Sequence, residues 1–371
     1  MLMLASHDRS RYEPSVLFFS HGPLVDDARR LGIDVHVLAK PMRLRNPWSL
    51  QRTVSEGCRL VTAGAVSIVH SCMAYAHLIG GAVAWRAGVP AVLYQHGPLG
   101  VWMDSAATLL RCDRILVNSA DTAAEQESHS WRTRSITLAP YGIDVQRPSL
   151  QAVADLRAEV NARHGIPPDS PVIGIMARFD PWKGIDVALR AAAPLLRARP
   201  KLRFMVVGGQ YRHFHPEYGA LLRALVESEG IATQVIFAGF QMDVRPYLSR
   251  MTVLVHSSLQ PEPFGLTIIE AMASGVPVVA ARSGGAAEIV EHGVDGLFHT
   301  PGRQDELRAA LESLLDDGQR RESFTRAGLL KVERQYRPAH MMRVIESTYD
   351  QLLGVAPTTI RSAAHEVARS S

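Results

Sequence analysis

The stretch VIGIMARFDPWKGIDVALRAA (172–192) changes character halfway along. Residues 172–177 are an unbroken apolar run of strand length, a turn passes through Pro181, and Lys183-Gly184 open an amphipathic helical pattern. A buried strand feeding a helix through a short turn is the building unit of a parallel sheet, so the fold class is α/β.

Outward from there the unit repeats. Strands are expected at RFMVVG (203–208), QVIFAG (234–239), TVLVHS (252–257), PVVAA (277–281) and GLFHT (296–300). Upstream they are expected at SVLFF (15–19), DVHVLA (34–39), SIVHS (67–71), AVLYQ (91–95), RILVNS (114–119) and SITLA (135–139). This gives two Rossmann-like, doubly wound parallel-sheet domains over 1–150 and 171–335. A polar, proline-flanked stretch at 151–170 is read as the linker. Helical pattern continues from about Gln319 to Leu353 with a break at Pro338, its last part (336–355) returning toward the first domain, and 356–371 reads as a frayed tail. Ligands of such sheets bind at the carboxyl ends of the strands, which points to an interdomain cleft.

The 371 residues suffice for two such cores, and 47% hydrophobic with 20% charged residues is a globular composition. The 40 basic and 36 acidic residues are scattered, which argues against nucleic acid and suits a cleft for a phosphorylated substrate. Cys58, Cys72 and Cys112 have no metal or disulfide spacing and are read as buried small hydrophobes in a reducing compartment. The N-terminus reaches charge too early for a signal peptide, and CMAYAHLIGGAVAW (72–85) is too short to span a bilayer. A cytoplasmic protein is expected, with any membrane contact peripheral, at the inner surface.

Chemistry gathers at two places. Arg178 ends a strand and Lys183 opens the following helix, so a planar fork, a point charge and helix amides can converge on a diphosphate; solvated surface charges are the alternative. The second place is SSLQPEPFGLTIIEAMASGVPVVAARSGGAAEIV (257–290). Glu262 lies in the loop after a strand, and Phe264-Gly265-Leu266 lead into a helix whose free amides can face a phosphate or a sugar hydroxyl. Glu270 lies about 7.5 Å along that helix from Gly265 at ~1.5 Å per residue, comparable with the distance from a bound diphosphate to its ribose. A loop charge and a dipole-complementing glutamate are the plainer reading of this pair. Ser283-Gly284-Gly285 form a further glycine turn with Glu288 after it, read equally well as packing.

At these residues the chain resembles the retaining GT-B glycosyltransferases of family 4, over roughly residues 15 to 353. The resemblance implies that Arg178 and Lys183 bind the donor diphosphate, Glu262 the transferred sugar, and Glu270 the ribose hydroxyls. Backbone amides of Phe264, Gly265 and Leu266 would complete the donor site, and Gly208-Gly209 match a glycine turn near the nucleotide. His96 in YQHGPLG (94–100) matches a histidine near the reacting sugar; His70 and Asn118-Ser119 occupy similar strand ends. Tyr141 in PYGID (140–144) replaces a commoner asparagine. No cofactor is implied: the nucleotide-sugar is a co-substrate, the acceptor is a hydroxyl, and without a D-x-D pair metal independence is expected.

One departure concerns the front of the chain. Family members start with a strand, a Gly-Gly loop and a long helix, whereas DRSRYEPSVLFFSHGPLVDDARRLGIDVHVLA (8–39) resembles the end of that helix, then the second strand and its helix, so a start upstream of Met1 is expected. A non-catalytic nucleotide-sugar-binding protein and another GT-B enzyme, such as a nucleotide-sugar epimerase, remain the alternatives.

Overall fold

The computed structural model describes residues 1–43, 45–145, 149–210 and 215–355. The expected tail at 356–371 lies outside the described residues, as does part of the segment before the expected linker. In chain order the strands are β1 (Ser15–Phe18), β2 (Asp34–Val37), β3 (Val69–Cys72), β4 (Ala91–Gln95), β5 (Arg114–Val117), β6 (Ile136–Leu138), β7 (Val172–Met176), β8 (Arg203–Val207), β9 (Val235–Gly239), β10 (Val253–His256), β11 (Val278–Ala281) and β12 (Gly296–His299). Each lies on one of the expected runs, and every ladder is parallel.

The second half forms one six-stranded sheet in the order β12-β11-β10-β7-β8-β9. Strand order reverses beside β7, which pairs with β8 on one side and β10 on the other, so the crevice at the carboxyl ends of β7 and β10 is the switch point. Side-chain alternation divides the apolar load between two faces. Ile173, Ile175, Val253 and Val255 pack beneath the helix Ile185–Ala198, while Val172, Met176, Leu254 and Val278 face the helix Leu266–Ala273. Each fully buried aliphatic side chain contributes about 1.5–3 kcal/mol, which is why these strands read as continuous apolar runs.

The stretch expected as a linker is a helix, Leu150–His164, laid against the second domain. Val160 and Ile166 enter the core beside Tyr247, Leu248 and Met251, Arg157 Nε donates to the Ser249 carbonyl at 2.5 Å, and Arg250 Nε donates to Asn161 Oδ1 at 2.5 Å. Its apolar contribution is only a few residues wide, so its polarity concealed its packing.

In the first half β3-β4-β5-β6 form one sheet, and β1 and β2 pair separately with each other. β1 and β3 share no ladder among the described residues; Leu17, Phe19 and Val69 join one apolar cluster around Leu38, Val54 and Ile79. The face of the four-stranded sheet is closed by the helix Pro338–Leu353, whose Met341, Met342, Ile345 and Tyr349 bury Val92, Tyr94 and Leu116. The chain crosses between domains where the Ile143 amide donates to the Tyr336 carbonyl at 2.7 Å. The cysteines depart from expectation: Cys112 is buried, Cys58 half-buried and Cys72 exposed, because Cys72 ends β3 at the point where the chain turns into the next helix. Among the described residues no helix is long and apolar enough to cross a membrane.

Gly208 ends β8 with φ +134°, and a Cβ there would come 1.9 Å from the Ala177 carbonyl oxygen. Gly208→Ala is expected to destabilise the protein by about 3 kcal/mol, lowering the calorimetric midpoint by roughly 5–10 °C. Gly209→Ala, whose Cβ would meet nothing closer than 3.6 Å, is the control expected to stay near wild type. Equal midpoints for the two variants would remove close packing as the reason for Gly208.

Candidate functional site

A cavity of about 190 Å³ opens at the switch point, lined by Ala177 and Arg178 after β7, Lys183 in the following turn, and His256, Ser258 and Glu262 after β10. The strand-end rule thus brings together side chains up to 92 residues apart in sequence (Ile175 to Thr267). One glycine allows the turns to meet. Gly184 has φ +63°, and a Cβ there would come 2.2 Å from the Ser257 carbonyl oxygen; the Ser257 hydroxyl donates in return to the Lys183 and Gly184 carbonyls.

Lys183 and Glu262 form the centre. Nζ lies 2.7 Å from Oε1 and 2.5 Å from Oε2 and sits 3.9 Å above the Trp182 ring, a cation–π contact. Ser258 Oγ donates to Oε2 at 2.9 Å, and His256 Nε2 approaches it at 3.3 Å. Burial works to raise the Glu262 pKa, but the His256 hydrogen bond and the Lys183 charge hold the carboxyl well below the usual carboxylate range. Burial in turn pulls the Lys183 pKa down, opposed by Glu262. Arg178 is half-exposed at the mouth, 3.7 Å from Asp180.

The loop carrying Glu262 rests on the Ser283–Gly285 turn. The Gly285 amide donates to the Glu262 carbonyl at 2.7 Å, and a Cβ on Gly284 or Gly285 would come 2.4 or 2.5 Å from the loop backbone. This turn is therefore a seat for the loop. Gly265, with φ +112°, starts the helix Leu266–Ala273, and Phe264 is buried edge-on against Tyr141 and Tyr336. Leu266 and Thr267 line the cavity. Glu270 stands one turn along the helix, half-buried, its carboxylate without a hydrogen bond among the described residues, and burial pushes its pKa up to about 7.

Other expected site residues lie elsewhere. Gly208 packs on Ala177, and the Gly209 carbonyl accepts from the Phe179 amide, so both support the Arg178 turn rather than line the cavity. His96 follows β4 and stacks on Tyr141, its Nδ1 2.5 Å from the Tyr141 hydroxyl; burial pushes its pKa down to about 4. It is thus a neutral imidazole, joined to the Glu262 loop through Tyr141 and Phe264. His70 is hydrogen-bonded to the Tyr349 hydroxyl at 2.6 Å, and Ser119 caps the helix Ala120–His129. Asn118 Nδ2 donates to the His96 carbonyl at 3.5 Å.

The same helix start receives Glu288 from the other domain. The Ala120 and Asp121 amides each donate to its carboxylate at 2.9 Å, and the Thr122 hydroxyl donates to the Pro263 carbonyl at 3.3 Å. A carboxylate bridging two free amides is a charge-assisted helix cap, here made across the cleft. Sequence reasoning missed His256 and Ser258, although the strand-end rule that singled out Arg178 and His96 applies equally to the end of β10.

Two family models divide the chain between them: "Glycosyltransferase Family 4" over residues 1–147 and "Glycosyl transferases group 1" over 157–330. A D-inositol 3-phosphate glycosyltransferase of Acidothermus cellulolyticus is 32% identical over 320 residues, covering 79% of this chain and 67% of that protein. The Rhizobium meliloti lipopolysaccharide core mannosyltransferase LpsB is 27% identical over 248 residues, covering 66% and 67%. Across such curated relatives the chain spans from 48% to 67% of their length. Among solved structures, Anabaena Alr3699/HepE in complex with UDP superposes with a TM-score of 0.80 at 25% identity over 94% of both chains. A Rickettsia africae glycosyltransferase reaches 0.85 at 16% identity over 96% of this chain and 94% of that one, a likeness of fold. The switch-point cavity therefore sits in a GT-B architecture, and the chain belongs to glycosyltransferase family 4, the glycosyl transferases group 1, whose members move a sugar from a nucleotide-sugar donor to an acceptor.

Proposed function

We propose that this glycosyltransferase binds the diphosphate of its nucleotide-sugar with Arg178 and Lys183, the transferred sugar with Glu262 and the ribose with Glu270, and transfers the sugar to a hydroxyl acceptor with retention. The carrying observation is the buried Lys183–Glu262 pair at the carboxyl ends of β7 and β10, beside a helix N-terminus. Arg178, Lys183 and the amides of Phe264, Gly265 and Leu266 would offset the charge that builds on the departing diphosphate, which requires no metal ion. A diphosphate oxygen on the departing face can take the acceptor proton as the new bond forms on that face. His96, neutral and aligned by Tyr141, would approach the reacting sugar from the first domain. The division into an acceptor-side unit over 1–150 and a donor unit over 171–335 belongs to the same proposal.

The test is a donor panel. UDP-glucose, UDP-galactose and GDP-mannose are incubated with simple sugar and inositol phosphate acceptors in EDTA, with nucleoside diphosphate release and the anomeric proton coupling of the product as readouts. Turnover in EDTA with a retained anomer is expected; an inverted product, or turnover only with added divalent cation, overturns the mechanism. The UDP held by the Anabaena protein makes uridine donors the first choice. A cytoplasmic protein, at most peripheral at a membrane, fits this reading; resistance to carbonate extraction from membranes counts against it.

Glu270 gives a pH signature. Its pKa is raised, so its carboxylate costs nothing below the ordinary value near 4.5 and destabilises the free protein as pH rises through about 7. Glu270→Gln should therefore be more stable than wild type at pH 8, by about 1–2 kcal/mol after allowance for partial exposure, and equal at pH 4.5. Ribose hydroxyls donate to the ionised form, so wild-type affinity for the nucleotide should rise through pH 7 and that of Glu270→Gln should be flat and weaker. Calorimetric titration of UDP at pH 6 and 8 checks both; parallel pH profiles would sink the ribose assignment.

A further inference from the structure

Among the described residues Glu262 Oε1 receives a hydrogen bond from Lys183 alone, whereas Oε2 is approached by Lys183, Ser258 and His256. The two oxygens therefore differ in what would hold them once Lys183 has another partner. In the diphosphate-binding reading on which this inference rests, an arriving diphosphate provides that partner. A lysine ammonium on a flexible stem can turn toward it. Oε1 then becomes open to a sugar hydroxyl, and only Ser258 and His256 keep the carboxylate in register.

His256 is built for that task at a visible cost. It ends β10, paired in register with Ala280, and is 7% exposed, while its carbonyl accepts from His299 Nε2 at 3.4 Å. An ionised carboxylate only accepts hydrogen bonds, so Nε2 must carry the proton toward Glu262. Nδ1, on the other side of the ring, is buried without a partner among the described residues. A buried orphan nitrogen costs stability, and an aliphatic residue would continue the Val253–Val255 run without it. The hydrogen bond on the other side of the ring offsets that cost.

We infer that His256 is a positioning residue for sugar transfer: with Ser258 it fixes Glu262 Oε2 when Lys183 passes to the diphosphate, leaving Oε1 to bind the transferred sugar. His256 contacts neither the diphosphate nor the sugar in this arrangement. Its removal should therefore affect turnover more than donor binding.

The experiment compares His256→Leu, His256→Gln, Ser258→Ala and Glu262→Gln in the full chain, using the donor of the panel with the highest turnover. Leucine should lower kcat roughly 10- to 100-fold with donor KM within about threefold of wild type, since a small misplacement of a positioned group costs that much. Glutamine, whose amide can donate to Oε2, should recover most of the loss, and Ser258→Ala should fall between them. Thermal midpoints should stay at or above wild type for leucine, because the orphan nitrogen is gone. Wild-type kcat in His256→Leu overturns the inference, as does an equal loss in His256→Gln and His256→Leu. Should leucine prevent folding, His256→Asn, whose shorter amide does not reach Oε2, takes its place with the same kcat loss and unchanged KM expected, and wild-type kcat in it overturns the inference. Loss of turnover in Glu262→Gln with His256→Leu unaffected defeats this inference alone; wild-type turnover in Glu262→Gln defeats the donor-site reading beneath it.

Discussion

Glu262→Gln should lower the turnover number by about 10²–10³-fold while leaving the donor KM within a few-fold, the range found when one electrostatic partner of a transition state is removed. Glutamine keeps the shape and one acceptor oxygen but removes the charge that Lys183, Ser258 and His256 surround. Positive charge grows on the sugar as the diphosphate leaves, and a carboxylate held ionised beside it acts on the transition state more than on the bound donor. The variant also leaves Lys183 largely buried without its anion. Folding must therefore be followed in parallel, because breaking a buried pair from one side costs up to 3–5 kcal/mol, and about half that at this partly open site. Steady-state kinetics on folded protein decide the matter. A KM effect with unchanged kcat would recast Glu262 as a binding residue only.

Lys183→Met should act on the donor itself. Methionine fills the stem volume over Trp182 but removes the cation, and the affinity for a nucleoside diphosphate should fall about 100-fold, or roughly 2.7 kcal/mol. Glu262 also loses one of the partners that keep its pKa low, while its burial remains. Its pKa must rise, so transfer by the variant should decline as pH falls through the new value, over a range where wild type is flat. Titration of UDP together with a pH–rate profile tests both. Unaltered UDP affinity would exclude Lys183 from the diphosphate site.

Sequence carried most of the fold because buried parallel strands leave continuous apolar runs, as at Val172–Met176 and Val253–His256. The Arg178–Lys183 and Glu262–Glu270 elements were legible because each is local, a strand end followed by a helix start. What stayed hidden depends on distant pairs. Glu288 reads as an ordinary first-turn glutamate until Ala120 and Asp121, 167 or more positions away, supply the amides it caps. The helix Leu150–His164 reads as a linker because its core contribution is small and its polar partners, Ser249 and Arg250, lie beyond residue 245. Likewise, no local pattern tells that Cys72 faces outward or that β1 and β2 pair apart from β3.

During translation β6 leaves the ribosome about 200 residues ahead of Pro338, which at roughly 5–20 residues per second is some 10–40 s. Through that interval Val92, Tyr94 and Leu116 have no helix over them, although all three are almost wholly buried in the finished protein. The second domain, by contrast, holds its covering helices within its own span and can consolidate first. The nascent first domain must therefore be sheltered, by a chaperone or by loose collapse, until the last helix emerges. The order of synthesis and the order of completion run in opposite directions along this chain.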